Sequence, residues 1–189
     1  MRKNFGVKTW LLPMPVLIVA AYDKNGVANA MNAAWGGIYS DNMIGICLAD
    51  DHKTTKNILS TKAFTVSMAT QQQVIACDYV GIVSGNKEAD KLAKAGLHTE
   101  KSEFVNAPII TELPMTLECE LVSYDEESCF MVGNIVNISA DESVLDNAGQ
   151  IDITKVQPII YNTINKTYHA VGEVVAKAFS AGKELKQPL

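Results

Sequence analysis

The chain has 189 residues, 48% hydrophobic and 20% charged, with a formal net charge of −5. That is the make-up of a globular domain large enough to bury a core without staples, and it excludes a disordered or fibrous chain. A mildly acidic surface also argues against broad binding to a phosphate backbone, so no nucleic-acid partner is expected, although a local basic pocket for one phosphate stays open.

The run from Trp10 to Tyr22 is strongly apolar, but it is too short to span a bilayer and Pro13 and Pro15 interrupt it. It reads as an extended buried strand, and no membrane association is expected. Val16 to Tyr22 alternates and is β-branched, and Asp23-Lys24-Asn25-Gly26 then turns the chain into a second strand. This second strand holds the most informative stretch, Ala28 to Gly37. Asn29 and Asn32 lie there among Ala28, Ala30, Met31, Ala33 and Ala34, followed by Trp35 and Gly36-Gly37. Small residues let a backbone approach a flat partner, the amides donate and accept hydrogen bonds, and the indole adds a broad apolar face. The pattern suits a wall around a planar heterocycle, and it equally suits a tightly packed strand and turn.

Met43 to Leu48 reads as a third strand, whose end turns polar from Ala49 to Thr54, and Lys56 to Ser60 as a short helix. His52, Lys53, Thr54 and Thr55 place a cation, hydroxyls and helix-terminal amides together, which is a ready anion site, or else an ordinary helix cap with a solvated lysine. Ala63 to Met68 is a fourth strand. Gln71 to Gly96 is helical in pattern, broken at Ser84-Gly85 and charged through Lys91. Ser84, Gly85 and Lys91 repeat the anion-site chemistry, with a solvated helix face as the alternative.

Pro108 and Pro114 bracket an extended piece, and Thr116 to Tyr124 and Phe130 to Ile138 form the clearest hairpin, joined by the acidic loop Asp125 to Ser128. Glu118 and Glu120 share one side of the first of these strands, a pattern more typical of a solvent face than of an acid–base pair. From Tyr168 to Gly182 the spacing of Val171, Val174, Val175 and Ala178 predicts one helix.

Four scattered cysteines, Cys47, Cys77, Cys119 and Cys129, without histidines at metal spacing, argue against zinc. With no signal peptide ahead of the domain, reduced thiols and a cytoplasmic location are expected, each thiol a small buried hydrophobe. No linker or repeat divides the chain, so residues 1–189 are expected to be a single domain. Many short strands in hairpin order with few helices predict a mainly β fold, a closed antiparallel barrel with added helices. No Gly-x-Gly-x-x-Gly follows a strand, and no Gly-x-Ser-x-Gly elbow or histidine beside a nucleophile supports a hydrolase.

Asn29-Ala30-Met31 with Trp35, then Lys53-Thr54 with Asn57-Ile58, Phe64 and Val66, Ser84-Gly85 with Asp90-Lys91, Ala107-Pro108, Leu117-Glu118-Cys119 and Gly133 occur in an order that resembles the flavin reductase-like family. The likeness is to its flavoredoxin branch and runs from about Pro15 to Gly182. It implies an FMN-binding split β-barrel of antiparallel Greek-key type, assembled as a homodimer that holds FMN near the subunit interface. It further implies an oxidoreductase passing electrons from NAD(P)H or a redox protein through FMN to an acceptor, with a non-catalytic flavin- or haem-binding split barrel as the other reading.

By the same resemblance the segment from Asn29 to Trp35, with Ala30, Met31, Asn32 and Ala33, lines the isoalloxazine ring, and Asn29 bonds its polar edge. Lys53, Thr54 and Thr55 hold the phosphate, Lys91 adds a second cation, Ser84 and Gly85 close the pocket, and Ala49 and Asp50 complete the cofactor-binding set. No residue is assigned a catalytic role. Two departures stand out: Asp51-His52-Lys53 replaces a Pro-x-Arg common among relatives, and Ser128-Cys129-Phe130 occupies the region where a late-strand histidine is frequent.

Overall fold

A computed structural model describes residues 1–185. In chain order the strands are β1 (Met14–Pro15), β2 (Leu17–Tyr22), β3 (Ala28–Ala33), β4 (Gly36–Ser40), β5 (Met43–Cys47), β6 (Ala63–Met68), β7 (Thr99–Lys101), β8 (Pro108–Ile110), β9 (Met115–Asp125), β10 (Phe130–Ala140), β11 (Ile159–Asn162) and β12 (Thr167–Ala170). The α-helices are α1 (Lys53–Thr61), α2 (Val74–Ile82), α3 (Lys91–Lys94) and α4 (Ile153–Val156).

Seven strands form one antiparallel sheet in the order β3-β2-β6-β9-β10-β5-β4. The β2–β3 hairpin is closed by Asp23, whose Oδ1 accepts from the backbone N–H of Asn25 at 2.8 Å and of Val27 at 3.0 Å. In the β9–β10 hairpin the register shifts between Val132 and Gly133 and again between Ile135 and Asn137. Bulges of this kind bend a sheet. The bend brings Phe64 of β6 against the backbone of Gly133, where any Cβ would overlap the ring.

The sheet therefore curls into a half-barrel. Strand order alone suggests a closed barrel, but β3 and β4 end the sheet without pairing with each other, which makes it the split barrel that the family resemblance implies. They follow one another through Ala34 and Trp35, and α2 packs on β3. The inner face buries Leu17, Val19, Ile44, Ile46, Phe64 and Met131, with Ile58 of α1 packed among them. Ile18, Ala20 and Ala30 point the other way and are covered by α2, β8 and β11 through Cys77, Val80, Ile110 and Ile159.

Four expectations are corrected. Trp10 and Leu11 are 40% and 66% exposed and belong to no strand, so burial begins only at Met14. The helix expected from Tyr168 to Gly182 is absent: Tyr168 lies in β12, and residues 171–177 carry no regular structure. Val174 and Val175 are 82% and 97% exposed there, so the helical spacing has no surface to bury. Glu118 is buried rather than on a solvent face. Its Oε1 accepts from Asn137 Nδ2 at 2.7 Å and its Oε2 from the Ser102 hydroxyl, because the segment before β8 covers this part of β9. Of the four cysteines only Cys77 and Cys119 are buried; Cys129 sits at the β9–β10 turn with φ +57°, and Cys47 is exposed at the end of β5.

Candidate cofactor site

The helix α1 starts at Lys53, three residues earlier than its sequence pattern suggests, so Lys53, Thr54 and Thr55 form its first turn. His52 precedes it in extended conformation and supplies no side-chain cap. The first-turn amides are thus left free for an anion, since intrahelical bonding begins with Lys56 N–H on His52 O. Thr54 and Thr55 are buried, and Thr55 Oγ1 has no hydrogen-bond partner in the protein. A buried hydroxyl left unpaired is costly, and a ligand oxygen would satisfy it.

Asn29 of β3 is also buried, and its Nδ2 donates to Thr54 Oγ1 at 2.6 Å. Its Oδ1 faces the backbone of Gly85 so closely that a Cβ at that position would overlap it. Asn86 Nδ2 donates to Asp51 O at 3.1 Å and ties the Ser84–Asn86 turn to the segment that leads into α1. Three separated stretches of sequence therefore meet at Asn29.

Lys91, expected as a second cation, also holds the fold together. It is 3% exposed, and its Nζ donates to Val80 O at 3.1 Å and Val83 O at 3.0 Å, capping the end of α2 just before Ser84. Burial, and then the nearby Lys53 cation, pull its ammonium down to about 8. An ammonium has three donors, so one remains beyond those two carbonyls. Ser84 is exposed and its Oγ accepts from Asn86 N–H at 3.3 Å. Ala49 is half-buried and Asp50 exposed, near Tyr124, whose hydroxyl donates to Leu48 O at 2.8 Å.

Two hollows flank this junction. A cleft of about 440 Å³ is lined by Met31, Asn32, Ala33, Ala34 and Trp35, the stretch singled out in the sequence. A groove of about 500 Å³ on the other side contains Lys53 and Gly85. His52 lines the cleft and its neighbour Lys53 the groove. Ala30 faces away from both, in the outer core.

Sequence reasoning did not place Cys47, His52, Asp78, Gly81 or Lys166 in the cleft wall, and Tyr161 and Tyr168 line it as well. Tyr168 donates its hydroxyl to Asp78 Oδ1 at 2.7 Å, and Asn32 Nδ2 donates to Cys77 O at 3.2 Å. Partial burial and then Asp78 raise the Tyr168 hydroxyl above its ordinary range. The Asn32 amide thus joins β3 to α2. Asp78 and Gly81 come from α2 and Tyr161, Lys166 and Tyr168 from the β11–β12 hairpin, while Cys47 ends β5 and His52 precedes α1; apart from His52, which belongs to the anion-site motif, nothing in their local pattern marks them beyond two tyrosines seven residues apart.

A curled antiparallel half-barrel whose seam carries a cleft beside a helix N-terminus has the architecture of a split barrel. The profile described as "Flavin reductase like domain" matches residues 10–172, and the chain belongs to that family. Its structural likeness within the family is to the flavoredoxin branch. It is 39% identical to flavoredoxin of Desulfovibrio vulgaris (Miyazaki F), with a TM-score of 0.92 over 97% of this chain and 100% of that one. It is 29% identical to flavoredoxin from Methanosarcina acetivorans, with a TM-score of 0.88 over 98% and 100%. The fold is shared with an FMN-binding domain of a flavin reductases-like enzyme from Shewanella baltica OS155, at 21% identity and a TM-score of 0.77 over 86% and 88%.

Proposed function

We propose that residues 1–189 form a single FMN-binding domain acting as a flavoredoxin-type oxidoreductase, which takes electrons from NAD(P)H or a redox protein and passes them to an acceptor. The observation that carries this reading is the Asn29–Thr54 bond, with the unpaired Thr55 Oγ1 beside it, at the junction of an apolar cleft and a cationic groove. A ligand flat at one end and dianionic at the other fits both.

In this reading Lys53, Thr54, Thr55 and the free amides of α1 hold the phosphate, with the third Lys91 donor as a further cation. The cleft walls at Met31, Ala33 and Trp35 shield the ring from water, Asn29 fixes the turn between the two ends, and Gly85 closes over it. Tyr168 holds a proton on its hydroxyl, shared with Asp78, at the edge of the cleft. Bound FMN would supply the redox chemistry itself, accepting hydride and releasing electrons.

A second copy of the chain is proposed to cover the free edge of β4. That edge exposes Ile38 and Tyr39 at 72% and 59%, beside an apolar hollow of about 440 Å³ lined by Leu11, Pro13, Trp35 and Phe130. Four free cysteines fit a cytoplasmic protein. Among the described residues no helix is long and apolar enough to cross a membrane.

The test is the absorbance spectrum of the purified protein with and without added FMN, followed by NADH or NADPH. Flavin bands that bleach with a donor support the reading, and a protein that takes up no FMN overturns it. Lys53→Ala with Thr54→Ala is expected to weaken FMN binding by several kcal/mol, because charge-assisted hydrogen bonds contribute roughly 1.5–3 kcal/mol each. An unchanged dissociation constant removes the phosphate assignment.

A further inference from the structure

The helix α2 has no polar face. Ala76, Cys77 and Val80 are buried in the outer core, and its single charge, Asp78, is engaged by Tyr168. On another side Ile75, Tyr79 and Ile82 recur at i, i+4 and i+7 and so share one face, with Ile75 and Ile82 84% and 75% exposed. A second apolar stripe lies near the end of the chain. Val171, Val174, Val175, Ala178 and Phe179 keep the spacing of an apolar face, yet Val174, Val175 and Phe179 are 82%, 97% and 100% exposed. The tail is rooted beside α2, because Tyr168 bonds Asp78, and it still turns away from that helix. Among the described residues nothing covers either stripe.

The α2 stripe is continuous with the β4 edge. Ile82 lines the cleft together with Trp35 and Cys47, and both of these also line the apolar hollow beside β4. That hollow is lined by 12 residues, whereas a stable interface takes about 20–30 residues on each side. The tail and the α2 stripe supply the rest, and in a two-fold pair each copy offers both. We propose that residues 171–182 of one copy lie across Ile75, Tyr79 and Ile82 of a second copy. The exchange buries both stripes, and because Ile82 stands in the cleft wall, each cleft gains a wall from the other subunit and is complete only in the dimer. The inference rests on the second-copy and flavin readings above and adds the segment that joins them.

The experiment uses full-length chains carrying Val175→Lys or Ile75→Glu, two positions that are bare in the single chain, so folding is spared. Sedimentation measures dimerisation, and flavin fluorescence measures FMN binding across the same range of protein concentration. Each variant alone weakens dimerisation by about tenfold or more, since a charge is pressed against an apolar stripe, and FMN binding falls as the dimer dissociates. An equimolar mixture recovers at least about threefold, because a mixed pair sets the introduced ammonium against the introduced carboxylate and leaves its other contact unaltered. Variants that dimerise like the wild type, or a mixture no tighter than its components, overturn the exchange. A monomeric wild type that binds FMN also overturns it and leaves the flavin reading standing, whereas a dimer that follows these expectations but takes up no FMN does the reverse.

Discussion

Gly85 and Asn29 meet with no room for a side chain between them, which makes Gly85→Ala a sharp test of the junction. A methyl group there must displace the Asn29 amide and with it the bond to Thr54. Overpacking of this kind costs about 1–3 kcal/mol. FMN affinity measured by fluorescence is expected to fall by a corresponding factor of about tenfold or more. Lys91 gives a prediction in pH. Its ammonium is depressed to about 8, so between that value and the ordinary lysine range the unfolded chain keeps a proton that the folded chain has released. The flavin-free protein therefore gains stability as pH rises across that window. A phosphate dianion draws the proton back, so FMN affinity is expected to decline as pH rises through about 8. Riboflavin, lacking the phosphate, should show no such decline; parallel curves for the two would remove Lys91 from the phosphate end. Glu118→Leu leaves the buried Ser102 hydroxyl and the half-buried Asn137 amide without their acceptor, and the buried loss at Ser102 costs about 1–3 kcal/mol. Thermal or urea unfolding should register it, with Glu118→Gln milder. The Asn29–Trp35 stretch and the Lys53–Thr55 turn were legible as single residues because their chemistry is local. Asp78, Lys166 and the role of Lys91 were not, because each depends on which distant backbone it reaches.

The strands that sequence pattern located best are β2, β6, β9 and β10, where long apolar or alternating runs are bounded by turn residues. The strand β4 was hidden by Gly36-Gly37, which read as a turn and instead let β4 lie close on β5: a Cβ at Gly36 would stand 3.0 Å from Gly45 O. The 171–182 stretch failed for the opposite reason. Its valines recur at helical spacing, but periodicity stabilises a helix only against a surface, and β12 leads the chain away from one. Hairpin order alone does not reveal which two strands end up unpaired, so the split in the barrel was legible only through the family resemblance. At this scale Gly133→Ala is expected to destabilise the fold by about 1–3 kcal/mol, since its Cβ would press on Phe64 where the bulge bends the sheet. Calorimetry on the flavin-free protein would measure this separately from any cofactor effect. At the β4 edge, Ile38→Lys together with Tyr39→Lys should yield monomers in sedimentation if a second copy covers that strand.

Taken as a whole, the molecule has its two larger cores back to back across β2 and β3, one inside the half-barrel and one under α2, and the proposed cofactor junction sits where they share the β2–β3 hairpin. Cys77 and Cys119, buried in the outer and inner cores, are held to about 11 and about 12 chiefly by burial. A thiol reagent should leave both untouched until unfolding. Cys47 is exposed and lines both the cleft beside Trp35 and the apolar hollow by Phe130. In the proposed function, flavin in the cleft or a second copy over the hollow would each shield its sulfur. The rate at which this one thiol is labelled is thus a native gauge of occupancy, needing no introduced probe: slowing that depends on added flavin reports the cleft, and slowing that depends on protein concentration reports the assembly.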